Sequence, residues 1–256
     1  MGRPVVNIRP VKLGMCGFTI ARSTYFRRFP VVEIQQTFYD PPSTAVLERW
    51  RADAPRDFEY TMKAWQVITH RGTSRTYRRL VSSFSESQRA EAGGFRVNDT
   101  VMAAWDRTVE CAAILRATAI LFQCPASFRA TPDNVSAMRG FFATIDRPPG
   151  VRFMWEPRGA WPDALVRDLC GELSLVHAVD PFVRPSQTPQ LLYWRLHGNK
   201  SHYARYSDDE LRQVRRWLDD SDAVDAYVLF NNIPRVKDIE RFRELGLDDG
   251  FVRLPR

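Results

Sequence analysis

Eight short runs of apolar and β-branched residues recur along the chain, at 11–18, 31–39, 58–65, 119–124, 152–157, 173–179, 191–197 and 226–231. Each is bounded by turn-forming or polar positions. Runs of this length, mostly apolar rather than strictly alternating, fit strands buried on both faces of a parallel sheet. Helix-like stretches lie between most of them. The stretch at 43–51 starts with Ser43 as a cap, and 99–117 places Val101, Ala104, Trp105, Thr108, Ala112 and Leu115 near a helical period. Thr131 followed by Pro132 opens a helix over 131–145, because proline is tolerated in the first turn. Trp161-Pro162-Asp163 starts another, to 169. Ser207 and Glu210 have capping-box spacing ahead of 207–218, and Gly246 is read as the stop of a helix over 236–245.

Strands alternating with helices imply parallel strands joined by crossovers, and eight such units predict a single (β/α)₈ barrel over residues 1–256. An open doubly wound sheet is the other candidate, but no G-x-G-x-x-G follows the first strand. Two units look irregular. The first has only 20–28 for its helix, and the sixth, 181–190, holds three prolines and predicts none. The connection after the third strand, 66–98, is long. It carries His70, Arg71, Arg75, Arg78, Arg79, Arg89 and Arg96 against Glu86 and Glu91, with Trp65, Tyr77, Phe84 and Phe95 interleaved. Connections of that length are usually functional or disordered.

Composition narrows the setting. A hydrophobic share of 44% in 256 residues suits a globular domain with a full core. No apolar run approaches the ~20 residues of a membrane span, and the N-terminus has no signal-peptide pattern, so no membrane partner is expected. Cys16, Cys111, Cys124 and Cys170 are scattered without C-x-x-C spacing, which points to reduced thiols in a cytoplasm and away from a zinc ribbon. Net charge is +7, carried by arginine, since the lysines are only Lys12, Lys63, Lys200 and Lys237. An anionic partner, a small molecule or nucleic acid, is compatible with this balance.

The carboxyl ends of barrel strands converge on one mouth, where barrel enzymes place their sites. Read there, the sequence offers Glu33, Gln35, Thr37 and Tyr39 alternating on the second strand, Lys63 on the third and Gln123 on the fourth. Glu156 with Arg158 ends the fifth, Asp180 the sixth, Arg195 and His197 the seventh, and Asn231 and Asn232 the eighth; His70 lies in the long connection. Glu33 with Arg158 or Arg195 could be a structural ion-pair network. The whole set is costlier to desolvate than valine and leucine would be, which favours a functional mouth.

Three pieces of chemistry are open. Glu156, kept ionised by nearby cations, suits a general base acting with Lys63 and His197, while Glu33, Thr37, Tyr39, His70, Gln123, Arg158, Asp180, Arg195, Asn231 and Asn232 line a substrate site. Lys63 is read first as the partner of Glu33 or Glu156, and second as a desolvated Schiff-base amine. His70, His197, Glu33, Glu156 and Asp180 are ligand types for a metal, but no H-x-H or H-E-x-x-H spacing occurs, so neither metal nor cofactor is expected. The function expected is a hydrolase- or lyase-type enzyme for a phosphorylated or nucleic-acid substrate. The alternative is a noncatalytic nucleic-acid- or anion-binding protein using 66–98.

G-M-C-G-F at 14–18, E-I-Q-Q-T-F-Y at 33–39, F-E-Y-T-M-K-A at 58–64 and I-T-H at 68–70 resemble the YecE-like family, domain of unknown function 72. F-Q-C-P at 122–125, W-E-P-R-G-A-W at 155–161, W-R-L-H-G at 194–198 and L-F-N-N at 229–232 extend the resemblance over nearly the whole chain. It implies a (β/α)₈ barrel and supplies no activity. The family usually has a longer, Trp-rich segment after the first glycine motif; here that segment is short, Phe18 stands where Trp is common, and Gln35 stands for the usual Asn.

Overall fold

Eight parallel strands close into a barrel in chain order among residues 11–248, which the computed structural model describes. They are β1 (Val11–Cys16), β2 (Val31–Ile34), β3 (Glu59–Lys63), β4 (Ala119–Gln123), β5 (Arg152–Glu156), β6 (Leu175–Val179), β7 (Leu191–Leu196) and β8 (Asp225–Phe230). Outside them run α1 (Arg22–Phe26), α2 (Gln36–Tyr39), α3 (Thr44–Asp53), α4 (Gln66–Thr69), α5 (Glu86–Glu91) and α6 (Asp99–Leu115). They are followed by α7 (Pro132–Thr144), α8 (Asp163–Glu172), α9 (Asp208–Asp219) and α10 (Arg235–Asp248). No helix lies between β6 and β7, and no helix among the described residues is long and apolar enough to cross a membrane.

Strand alternation sorts the side chains into two compartments. Val32, Ile34, Tyr60, Met62, Ile120, Phe122, Phe153, Trp155, Val228 and Phe230 pack outward in the main core with the helices. At about 1.5–3 kcal/mol for each large apolar side chain, this shell is the principal source of stability. Inside, a smaller cluster of Val31, Ala119, Leu121, Met154, Ala178, Tyr193, Tyr227 and Leu229 fills the barrel's middle. The amino end of the barrel is plugged by ion pairs: Lys12 to Glu59 at 3.0 Å and to Asp225 at 3.3 Å, and Arg152 to Asp225 at 2.6 Å. Gly14 lets β1 and β2 meet; a Cβ there would lie 2.2 Å from the carbonyl oxygen of Val31.

Most helix starts follow their sequence signals. Thr131 accepts a hydrogen bond from the Asn134 N–H with Pro132 following, and Ser207 with Glu210 forms the full capping box of α9. Ser43 occupies the cap position of α3 without a side-chain bond to it. Other expectations need correction. β2 ends at Ile34 rather than continuing to 39, and residues 36–39 turn as α2, so Gln35, Thr37 and Tyr39 do not share a strand face with Glu33. The sixth strand starts at Leu175, because Leu173 closes α8 and Ser174 turns the chain at φ 49°. The last helix continues through Gly246 to Asp248, since an interior glycine costs a helix only about 1 kcal/mol.

The segment 66–98 is ordered by α4, a 3₁₀ turn at Arg75–Arg79 and α5. Gly93, at φ +82°, passes so near His70 that a Cβ would be 2.2 Å from its carbonyl carbon. Phe95 and Tyr77 are buried, and Arg96 donates to the carbonyls of Ala90, Ala92 and Gly93. Part of the segment's basic character is therefore structural.

Two buried histidines link folding to pH. His177 accepts a hydrogen bond from the Gln187 N–H at Nδ1, leaving Nε2 to carry the proton without a partner. Burial, and then Arg184, lowers its pKa to about 4; burial, and then Lys63, lowers that of His70 to about 3. Both stay neutral in the fold while an unfolded histidine takes up a proton near pH 6.5, so stability falls as pH drops from that value toward 4. Each contributes about 1.4 kcal/mol per pH unit over the window. We expect the loss of urea stability between pH 7 and pH 5 to shrink by about 2 kcal/mol in His177→Gln. An unchanged loss would show that His177 titrates normally in the fold.

Candidate active site

The inward-facing residues at the carboxyl ends of the strands build one polar mouth. Its centre is the Arg195 guanidinium. Nε donates to Glu33 Oε2 at 3.0 Å and Nη2 to Glu33 Oε1 at 2.8 Å, a bidentate pair, while Nη1 donates to Glu156 Oε2 at 2.7 Å. All three side chains are buried. Glu33 also accepts from the Tyr193 hydroxyl at 2.9 Å and from Gln35 Nε2 at 2.5 Å, which leaves it little capacity for substrate. Burial favours the neutral carboxyl, but Arg195 outweighs it and keeps Glu33 below the usual carboxylate range.

Glu156 is comparably occupied. Its Oε1 takes Arg158 at 3.2 Å and lies 3.6 Å from His197 Nε2. Burial raises its pKa, yet Arg195, Arg158 and His197 bring it down to about 2. His197 is locked as well. Nε2 lies 2.6 Å from Arg158 Nη2, an N–H donor, and Nδ1 faces Asp180 Oδ2 at 3.4 Å. Asp180 in turn accepts from the His197 backbone N–H at 2.8 Å.

Lys63 differs from the expectation of an ion pair with Glu33 or Glu156. Among the described residues its ammonium makes no ion pair and no hydrogen bond; Nζ lies 3.6 Å over the centre of the Phe38 ring. The reason is competition, because Arg195 takes the carboxylate oxygens of both candidates. Lys63 is 3% exposed, and that surface faces the mouth. Burial first and Arg195 second lower its pKa to about 7, against the opposing pull of Glu33 and Glu156.

A cavity of about 840 Å³ opens above these groups. Of the residues read from sequence, Gln35, Tyr39, Lys63, Gln123, Glu156, Arg158, Asp180, Arg195, His197 and Asn231 line it. Glu33 lies beneath, reached through Arg195. Three others are elsewhere. Thr37 is buried and donates to the Lys63 carbonyl at 2.8 Å, which fixes α2 against β3. His70 is buried against Phe38, with Nδ1 2.8 Å from the Thr69 hydroxyl. Asn232 is buried and donates to Asp238 at 2.6 Å and to the Ala204 carbonyl at 3.1 Å, tying α10 to the β7–α9 connection.

The structure adds Cys16, Phe38, Arg235 and His202 to the lining. Cys16 was legible as the inward residue ending β1; Arg235, in the first turn of α10, had no motif to mark it. Arg79, from the 66–98 segment, also lines the cavity, with its guanidinium 4.7 Å over the Tyr39 ring. Neither Arg79 nor Arg235 is paired with a carboxylate among the described residues. Arg235 Nε is buried without a partner, and burial lowers the pKa of that guanidinium. Among the described residues, no three His, Cys, Asp or Glu side chains are grouped so as to hold a metal ion.

The profile of a family described as protein of unknown function DUF72 matches residues 21–246. Among solved structures, a DUF72 family protein of Enterococcus faecalis V583 is similar at 19% identity and TM-score 0.68, over 95% of this chain and 99% of that one. One of Thermotoga maritima MSB8 is similar at 17% and 0.65, over 92% and 98%. A xylose isomerase domain containing protein of Salmonella typhimurium LT2 is more distant, at 12% and 0.55, over 95% and 98%. Likeness at these identities is one of fold. Among curated proteins, none matches this chain.

The contrast between Arg195 and Arg158 is open to measurement. Removing a partner from a buried pair leaves an uncompensated charge, so Arg195→Met should cost about 3–5 kcal/mol of unfolding free energy. Arg158, 39% exposed at its side chain, should change stability by less than about 1 kcal/mol as Arg158→Gln. Equal losses in denaturant melts would place the two arginines in one structural network.

Proposed function

The chain belongs to the DUF72 family, and from that premise we propose that it is a hydrolase- or lyase-type enzyme that binds a phosphorylated or nucleic-acid substrate at the barrel mouth. The observation that carries this reading is the pair of cavity-lining guanidiniums, Arg79 and Arg235, that no carboxylate neutralises, set beside an amine that reaches the same space. Arg235 is half-buried with its Nε enclosed and unpartnered, a cost that an anionic ligand would offset, while the exposed Arg79 at the rim would add a second charge-assisted contact. The cavity is of small-molecule size, which favours a compact phosphorylated compound.

Within this reading Lys63 is the proton-transfer group. A base works best with a pKa near the operating pH, and about 7 meets that condition where about 2, for Glu156, does not. Glu156 then supplies electrostatic support, and Arg158 and His197 orient the ligand. The proposal includes a cytoplasmic setting, supported by four cysteines that are buried and unpaired.

A noncatalytic binder of single strands through 66–98 has less support. Such binders stack bases on aromatic faces. Here Phe95 and Tyr77 are buried, and Trp65 packs edge-on against Phe84.

Calorimetry with glycerol 3-phosphate, beside anisotropy of a labelled oligonucleotide, tests the assignment at two salt concentrations. We expect glycerol 3-phosphate to bind, and Arg79→Gln and Arg235→Gln each to weaken it roughly tenfold, the worth of one charge-assisted hydrogen bond. Oligonucleotide binding that is steeply salt-dependent and lost with Arg75, Arg78 and Arg89, which lie outside the cavity lining, but kept in Arg235→Gln would favour the noncatalytic alternative. Binding of neither probe removes the anionic substrate.

A further inference from the structure

The Lys63 amine is placed for covalent chemistry. It is one of four lysines in the chain, and it ends β3 with its nitrogen reaching the cavity while the rest of its side chain is enclosed. Its surroundings are already balanced without it, since Glu33 and Glu156 are matched by Arg195 and Arg158. A proton on Lys63 would add a surplus charge among guanidiniums. Nothing donates to or accepts from its nitrogen among the described residues, so the lone pair of the neutral amine is free to attack a bound molecule.

Resting on the anionic-substrate reading, and giving Lys63 a covalent role in place of proton transfer, we propose that Lys63 forms an imine with an aldehyde or ketone carbon of a substrate whose phosphate is held by Arg79 and Arg235. The Nζ lone pair forms the C–N bond while the carbonyl π pair moves to oxygen. One proton passes from nitrogen to that oxygen through cavity water, giving a carbinolamine. Solvent supplies a second proton, the oxygen leaves as water, and the nitrogen lone pair closes the C=N bond of a protonated imine.

The same position suits that product. The new cation lies where Nζ now sits, 3.6 Å over the Phe38 ring, whose π face attracts positive charge. Glu33 and Glu156 stay close enough to stabilise it through space. A protonated imine withdraws electrons from the neighbouring carbon, so the chemistry gained is carbon–hydrogen or carbon–carbon bond cleavage next to the former carbonyl. That narrows the substrate class to phosphorylated aldehydes and ketones.

The test is reductive trapping on the intact protein at pH 7, with glyceraldehyde 3-phosphate and cyanoborohydride, mapped by peptide mass spectrometry. The exposed Lys200 and Lys237 serve as internal references. An amine of pKa near 7 has roughly a thousandfold larger neutral fraction at pH 7 than an ordinary lysine. We expect Lys63 to be labelled at least ten times faster than Lys200, and Arg79→Gln and Arg235→Gln to slow it several-fold. Labelling of Lys63 no faster than Lys200 overturns the imine. If glycerol 3-phosphate still binds in that case, the imine alone fails and the anionic site stands. If unphosphorylated glyceraldehyde labels Lys63 as fast as the phosphate, and glycerol 3-phosphate does not compete, amine reactivity stands and the phosphate assignment fails.

Discussion

The interaction on which the mouth depends is the Arg195 guanidinium shared between Glu33 and Glu156 inside a closed barrel. A guanidinium is planar and delocalised, so one side chain can hold two carboxylates in fixed directions, as an ammonium could not. It ties β2, β5 and β7 together across the barrel's interior. Buried pairs of this kind are weak evidence for stability, because desolvation consumes much of the Coulombic gain. Their effect here is to fix geometry and charge. With its oxygens occupied, Glu33 is a structural anion, and Glu156 is held ionised.

What that arrangement leaves over defines the chemistry. Lys63 loses both candidate counter-ions to Arg195 and is left against Phe38 with its pKa lowered to about 7. The barrel is thus divided along its axis. Its amino end is closed by the Lys12, Glu59, Arg152 and Asp225 pairs, its middle is apolar, and its carboxyl end holds Lys63, Arg79 and Arg235 without carboxylate partners among the described residues. This division is the usual economy of the fold, in which one end carries stability and the other the site.

The formal charge of +7 overstates what is free to bind an anion. Arg51, Arg96, Arg147 and Arg241 donate to backbone carbonyls at loops and helix ends, and Arg152 serves the amino-end plug. The cations that matter are Arg79 and Arg235, set apart by lining the cavity without a carboxylate partner among the described residues. Nothing in a charge count distinguishes them from the rest.

By itself the sequence determined the architecture, because buried parallel strands and capped helices leave local signatures: apolar runs, Thr131-Pro132, Ser207 with Glu210. It determined much of the mouth for the same reason. Strand parity and chain direction place Lys63, Gln123, Glu156, Arg195, His197 and Asn231 at one end of any eight-stranded parallel barrel. The tertiary structure decided the rest. Pairing depends on which side chains meet across the barrel, and that register is nonlocal, so Lys63 read as an ion-pair partner and proved to be the group left out. α2 was hidden because E-I-Q-Q-T-F-Y alternates like a strand while its turn is stabilised by Thr37 reaching the Lys63 carbonyl, a contact 26 residues away in sequence. Asn232 and Asn231 are neighbours with the same side chain, and only packing against Asp238 sends one into the fold while the other lines the mouth.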